Sequence, residues 1–184
     1  MAQTVKIISD STCDLSKELV EKYDITILPL HILLGEDEYR DGVDITPEEI
    51  FRWSDENKNT PKTSAPSLTE AMGVMQPFVE EGRELICFSI SDSMSTSGNV
   101  MRLAAEELEA SDKVTVINSA NLSTGIGLQV IQAAILASEG KTAAEITTAI
   151  EAIRPKVRAS FVVDTLTNLH RGGRCSAVRG SGRW

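Results

Sequence analysis

Serine and threonine gather in four short stretches: Asp10-Ser11-Thr12, Lys62-Thr63-Ser64-Ala65-Pro66-Ser67, Ser91-Asp92-Ser93-Met94-Ser95-Thr96-Ser97 and Asn118-Ser119-Ala120-Asn121-Leu122-Ser123-Thr124. Three of the four directly follow a strand-like apolar run. Hydroxyl groups are neutral and both donate and accept, so several of them at strand ends suit a carboxylate or phosphate headgroup. In open α/β sheets, ligands bind outside the carboxyl ends of the strands. A helix N-terminus adds free N–H groups and partial positive charge. Thr63, Ser67, Ser95 and Ser97 each lie just ahead of an expected helix, so an anion between the two middle loops would receive hydroxyl and backbone hydrogen bonds together. Ser67 and Ser97 read as N-caps. Thr63 and Ser95 lie a few residues earlier, so capping explains them less well.

Conventional catalytic sets do not form from this sequence. A serine hydrolase needs a nucleophile with a histidine and an acid, yet only His31 and His170 are present and no Gly-x-Ser-x-Gly occurs. Glycine-rich phosphate loops are absent, and Gly125-Ile126-Gly127 is too short to count as one. Asp10 has the place of a phosphotransfer aspartate but lacks a second loop aspartate beside it. Asp41 and Asp44 read as turn and helix-approach residues. Cys13, Cys87 and Cys175 are far apart and odd in number, which supports neither a disulfide framework nor a metal site and fits a reducing cytoplasm. Cys87, inside an apolar run, belongs to the core. A neutral hydroxyl site without base or metal holds an anion better than it transforms one. Each hydrogen bond to a charged group contributes ~1.5–3 kcal/mol, enough to orient a carboxylate. Affinity must then come from an apolar body at ~0.8 kcal/mol per buried CH₂, a division of labour that a long acyl chain satisfies.

The elements that position these loops alternate in type. Val5–Ser9, Ile25–Leu30, Glu84–Ile90, Val114–Ile117 and Ala159–Val163 read as strands. Helices are expected over Leu15–Tyr23 with Asp14 as cap, from Thr46-Pro47-Glu48-Glu49 to about Asn57, from Ser67 to Glu81, over Gly98–Leu108, over Thr124–Ser138, and from Lys141 to Arg154. Between them, His31–Tyr39 reads as a hairpin around Gly35, and Asn57–Pro66 as a polar loop. This alternation predicts an α/β fold, a mostly parallel sheet with helices on both faces. The 184 residues carry a net charge of −9, against the basic footprint of nucleic-acid binding. The charge is uneven: residues 1–153 hold 11 basic and 26 acidic side chains, residues 154–184 seven and one. A domain boundary is therefore expected near Pro155. No run approaches the ~20 apolar residues of a membrane span, and no signal-peptide core opens the chain.

The Asp10-Ser11 start resembles the DegV family, as do Tyr23-Asp24-Ile25 to Pro29-Leu30, Asp41-Gly42-Val43-Asp44-Ile45, Lys62 to Ser67, Ile90-Ser91 through Ser95, and Asp164-Thr165-Leu166 to Arg171-Gly172-Gly173-Arg174. The resemblance runs in order from Val5 to about Ala177. It implies a bacterial fatty-acid-binding protein rather than an enzyme, with a long-chain fatty acid as bound ligand, no other cofactor, and in some members a separate kinase that makes acyl phosphate. It further implies that Thr63 and Ser95 hold the carboxylate, in a ligand-binding set with Ser11, Ser64, Ser91, Thr96 and Ser97, and that Arg171 and Arg174 lie near the headgroup or on the kinase side. Two departures stand out. The family has Ser-Gly-Thr where this chain has Ser95-Thr96-Ser97, which restricts the backbone if the position needs φ > 0. The resemblance also implies residues 1–157 as the α/β domain and 158–184 as the start of a second, α+β domain, but after Ala177 it dissolves, whereas the family continues through that second domain, which supplies the other tunnel wall and a histidine. A truncated or frame-altered member is the expectation, with an exposed apolar face that promotes association. On the residues alone, alternatives remain: an enzyme acting on a small phosphate or carboxylate compound through Asp10 and the serine loops, an interaction module docking through the basic tail, or a fragment without function.

Overall fold

The structure is a computed structural model and describes residues 4–163, 166, 169 and 170. They form two compact units, one of residues 4–30 and 65–159, the other built on residues 31–64 with the described residues from Ser160 onward.

The first unit is a four-stranded parallel sheet, β1 (Val5–Asp10), β2 (Thr26–Leu28), β6 (Glu84–Ser89) and β7 (Val114–Asn118), in the order β2-β1-β6-β7. All three pairings are parallel, with Ile7 opposite Ile86 and Ile8 opposite Cys87. Every residue of β1 is buried, as expected of a strand covered on both faces. The short edge strand β2 stops before Pro29, which has no N–H to give to a ladder.

Helices cover both faces. Val5, Ile7, Ile86, Phe88 and Ile117 pack with Ile126, Val130 and Ala133 of α5 (Thr124–Ser138) and Ile146 and Ile150 of α6 (Ala143–Ile153). On the opposite face Ile8, Leu85, Cys87 and Val114 pack with Ala71 and Met75 of α3 (Leu68–Glu80) and Met101 and Ala104 of α4 (Ser97–Glu107). Ser67 and Thr142 start α3 and α6 with complete capping boxes. No helix among the described residues is long and apolar enough to cross a membrane.

In the second unit, β3 (His31–Leu34) pairs antiparallel with β4 (Asp37–Arg40) and with β5 (Lys62–Ser64). The hairpin between β3 and β4 turns at Gly35, whose φ of 71° suits glycine. Helix α2 (Pro47–Asn57), opened by the Thr46–Glu49 capping box, packs Ile50 and Trp53 against Ile32, Leu34 and Ile45.

Several expectations are corrected. Asp14 does not cap α1 (Lys17–Lys22); Ser16 does. Asp14 instead closes a short 3-10 turn, Ser11–Cys13, at a left-handed φ of 50° that aspartate tolerates. The polar loop 57–66 contains β5, whose pairing with β3 is non-local. Ala159–Val163 adopts no strand, since among the described residues no neighbour pairs with it. Propensity without a partner leaves Phe161 and Val162 exposed.

Phe88 is fully buried at the sheet–helix interface, so Phe88→Ala is expected to destabilise the protein by about 3–5 kcal/mol. Exposed Val162→Ala should stay within about 0.5 kcal/mol. Urea unfolding of both variants measures this, and equal losses would contradict the burial pattern.

Candidate functional site

Because β1, β6 and β7 run parallel, their carboxyl ends share one rim, and polar side chains stitch that rim together. Asp10 ends β1 fully buried. Its Oδ2 accepts the Ile90 N–H at 2.8 Å and its Oδ1 accepts the Thr12 hydroxyl at 2.5 Å. Next to it, the Ser11 Oγ accepts the Leu30 N–H at 3.1 Å, just beyond β2. The Asp10 carboxylate is therefore a brace between β1 and the loop that follows β6, engaged in structural bonds rather than presented to a substrate.

That loop carries the serines. The Ser91 carbonyl accepts N–H bonds from Met94 at 2.8 Å and Ser95 at 3.2 Å, folding residues 91–95 into a tight turn. Ser91 and Ser93 hydroxyls meet at 2.9 Å, as do those of Ser95 and Ser97. The expected cap is corrected here: Ser97 is the first residue of α4 and buried, Thr96 caps without a side-chain bond, and Ser95 Oγ accepts the Ser97 N–H at 3.2 Å. Ser95 thus satisfies one free donor of the helix start. The Ser95–Ser97 pair holds two hydroxyl protons and uses one between the two oxygens, with either oxygen able to be the donor. No acidic residue lies in the first turn of α4, and the helix dipole there favours an anion. Thr96 sits at φ −91°, ψ 5°, so a threonine fits where the family resemblance implied glycine.

The helix start packs close against the loop. A Cβ on Gly98 would lie 2.6 Å from Asp92 Oδ1 and 2.8 Å from Ser89 Oγ, so any side chain there would force Asp92 or Ser89 to shift. Asp92 forms an ion pair with Arg102 at 3.0 Å, and Arg102 also reaches Asn99 at 2.7 Å. The loop after β7 holds the serine loop from the other side. Asn118 Oδ1 accepts the Asp92 N–H at 3.2 Å and the Ala120 N–H at 2.9 Å, and the Asn121 carbonyl accepts the Ser91 N–H at 3.0 Å.

Of the expected ligand residues, Ser11, Ser91, Ser95, Thr96 and Ser97 thus belong to one rim. Thr63 and Ser64 belong to the second unit, exposed on β5 opposite Ile32 and His31. Arg171 and Arg174 lie outside the described residues, as does Cys175. Asn118, Asn121, Asp92 and Arg102 organise the rim although residue type alone gave them no role.

Among the described residues His31 is held in a structural bond, and Cys13 and Cys87 are buried. His31 Nδ1 meets Glu38 across the β3–β4 hairpin. Burial pushes the Cys13 thiol above its usual range and the Cys87 thiol up to about 12. Among the described residues no three His, Cys, Asp or Glu side chains group to hold a metal ion. Asp44 receives two hydrogen bonds from the Arg40 guanidinium, at 2.7 and 2.8 Å, and these bonds hold its carboxyl down to about 2. Since the folded value lies below the ordinary one, this pair supports the turn before α2 above the usual aspartate range and is lost as pH falls from 3.8 toward about 2. An NMR titration should place the Asp44 midpoint near 2 and return it toward 3.8 in Arg40→Gln; a midpoint unchanged by that substitution would contradict the pairing. Asp10→Ala should cost about 1–3 kcal/mol in urea unfolding by leaving the Ile90 N–H unsatisfied; full retention of stability would contradict the brace.

A hydroxyl-rich rim at the carboxyl ends of a parallel sheet, closed by a helix N-terminus, is what these residues build on an α/β fold. The family model described as "Uncharacterised protein, DegV family" matches residues 4–181, and the chain belongs to the DegV family. A DegV domain-containing protein of Clostridium perfringens is 38% identical over 172 residues, covering 94% of this chain and 61% of its own length. Among solved structures, a stearic-acid-binding protein from Eubacterium ventriosum matches with a TM-score of 0.74 at 37% identity, over 80% of this chain and 52% of that one. A DegV family protein from Thermus thermophilus, described by its fatty acid binding, matches with a TM-score of 0.83 at 32% identity, over 96% and 62%. The chain spans about three-fifths of the length of the curated relatives it matches.

Proposed function

We propose that this chain holds the carboxylate of a long-chain fatty acid, with Ser95 as the principal donor on the rim of the first unit beside Ser11, Ser91, Thr96 and Ser97, and with Thr63 and Ser64 of the second unit as further ligand residues. The observation that carries the reading is the likeness to the stearic-acid-binding and fatty-acid-binding relatives over the fold that sets the Ser95–Ser97 pair at the start of α4. The chemistry agrees. A hydroxyl beside the positive end of a helix donates to a carboxylate oxygen without needing a counter-charge.

The headgroup bonds supply orientation, at ~1.5–3 kcal/mol each. The acyl chain supplies most of the affinity as its methylenes leave water. In this reading Arg171 and Arg174 serve the headgroup or a fatty acid kinase. The protein then acts as a carrier that presents its acyl carboxylate to that kinase and performs no catalysis itself.

Titration with stearate tests the site. Ser95→Ala should weaken binding roughly tenfold through loss of one charge-assisted bond, and Thr63→Ala should weaken it in the same direction. Octadecanol, which lacks the carboxylate, should bind both variants and the parent equally. Equal stearate affinity in all three proteins would overturn the assignment.

A further inference from the structure

The loop between β7 and α5 is bonded on two sides. Toward the serine loop, the Asn121 carbonyl accepts the Ser91 N–H at 3.0 Å and Asn118 Oδ1 accepts the Asp92 N–H at 3.2 Å. Toward the exit from the first unit, Asn121 Nδ2 donates to the Val157 carbonyl at 3.0 Å and the Arg154 guanidinium donates to the Asn118 carbonyl at 3.3 Å. Arg154 and Val157 flank the last helical turn, Arg154–Lys156, before the chain leaves that unit.

The loop itself is held tightly. Ala120 and Ser123 both adopt φ 51°, a left-handed backbone unfavourable for residues other than glycine, which persists only where its surroundings over-determine it. Its surroundings do so: Ser119 Oγ accepts the Asn121 N–H, Asn121 Oδ1 accepts the Leu122 N–H, and buried Gln129 Nε2 donates to the Ser119 and Gly125 carbonyls. Gly125 lies so close beneath Asn121 that a Cβ there would meet its amide at 2.1 Å. The asparagine is clamped, and the two sides cannot shift independently.

We infer that Asn118 and Asn121 are positioning residues that tie the serine loop to the exit segment Arg154–Val157, so that displacement of that segment loosens the loop that presents Ser95. A packed, bonded bridge of this kind couples the segments on its two sides. The consequence for ligand rests on the carboxylate reading above; the mechanical link does not.

Hydrogen–deuterium exchange on the full chain tests the link. Asn121→Asp keeps the shape and the acceptor for Leu122 but removes the donor to Val157. It should raise exchange both at 153–160 and at 89–98, and weaken stearate binding about fivefold, the loss expected for one hydrogen bond. Asn118→Asp keeps both N–H acceptors and should leave exchange at 89–98 at the parent level, whereas Asn118→Ala should raise it. Faster exchange confined to 153–160 in Asn121→Asp, or equal exchange at 89–98 in the two Asn118 variants, would overturn the inference. If the parent protein fails to bind stearate, the carboxylate reading falls while the exchange pattern still decides the link.

Discussion

The rim depends on one buried carboxylate. Burying an ionised group is expensive unless hydrogen bonds replace its water, and Asp10 has them: the Ile90 N–H on one oxygen and the Thr12 hydroxyl on the other. Asp10 ends β1, which pairs with strands on both of its sides. Fixing Ile90 therefore fixes the first residue beyond β6, and the serine loop begins at the next one. Ser11 does the same on the opposite side by bonding Leu30 beyond β2. Both partners lie far away in sequence, so the rim is set by the parallel registers and not by any local motif.

From that anchor the loop acquires a division of labour. Backbone bonds to the Ser91 carbonyl shape the turn, the Asp92–Arg102 pair and Asn118 fasten its flank, and only then do Ser95 and Ser97 meet at the start of α4. Ser95 serves the helix as an acceptor and keeps the capacity to donate. Accepting an N–H does not consume a hydroxyl's own proton. Asp92 carries the charge nearest the loop, and its pairing with Arg102 balances that charge at the helix start.

Much of this was legible in the sequence where the signal is local. The Thr46, Ser67 and Thr142 capping boxes follow an i to i+3 pattern, and each helix starts where it says. The apolar runs of β1 and β6 announce strands covered on both faces. Legibility fails where the partner is distant. Lys62-Thr63-Ser64 is polar and exposed, and only its pairing with β3 makes it a strand. Asn118 and Asn121 read as loop residues because their partners lie some 26 to 36 positions away. Ser97 read as a cap because a serine stands at the helix start, but the capping oxygen comes from Ser95 two residues earlier. Of the candidate ligand residues, the five in the first unit gather on one rim as their positions after β1 and β6 suggested.

Native mass spectrometry of the purified chain tests the central claim most directly. The account predicts a bound species heavier than the polypeptide by the mass of a long-chain fatty acid, released on denaturation and diminished in Ser95→Ala. A chain that carries no such adduct, and gains none when saturated with stearate, would contradict it.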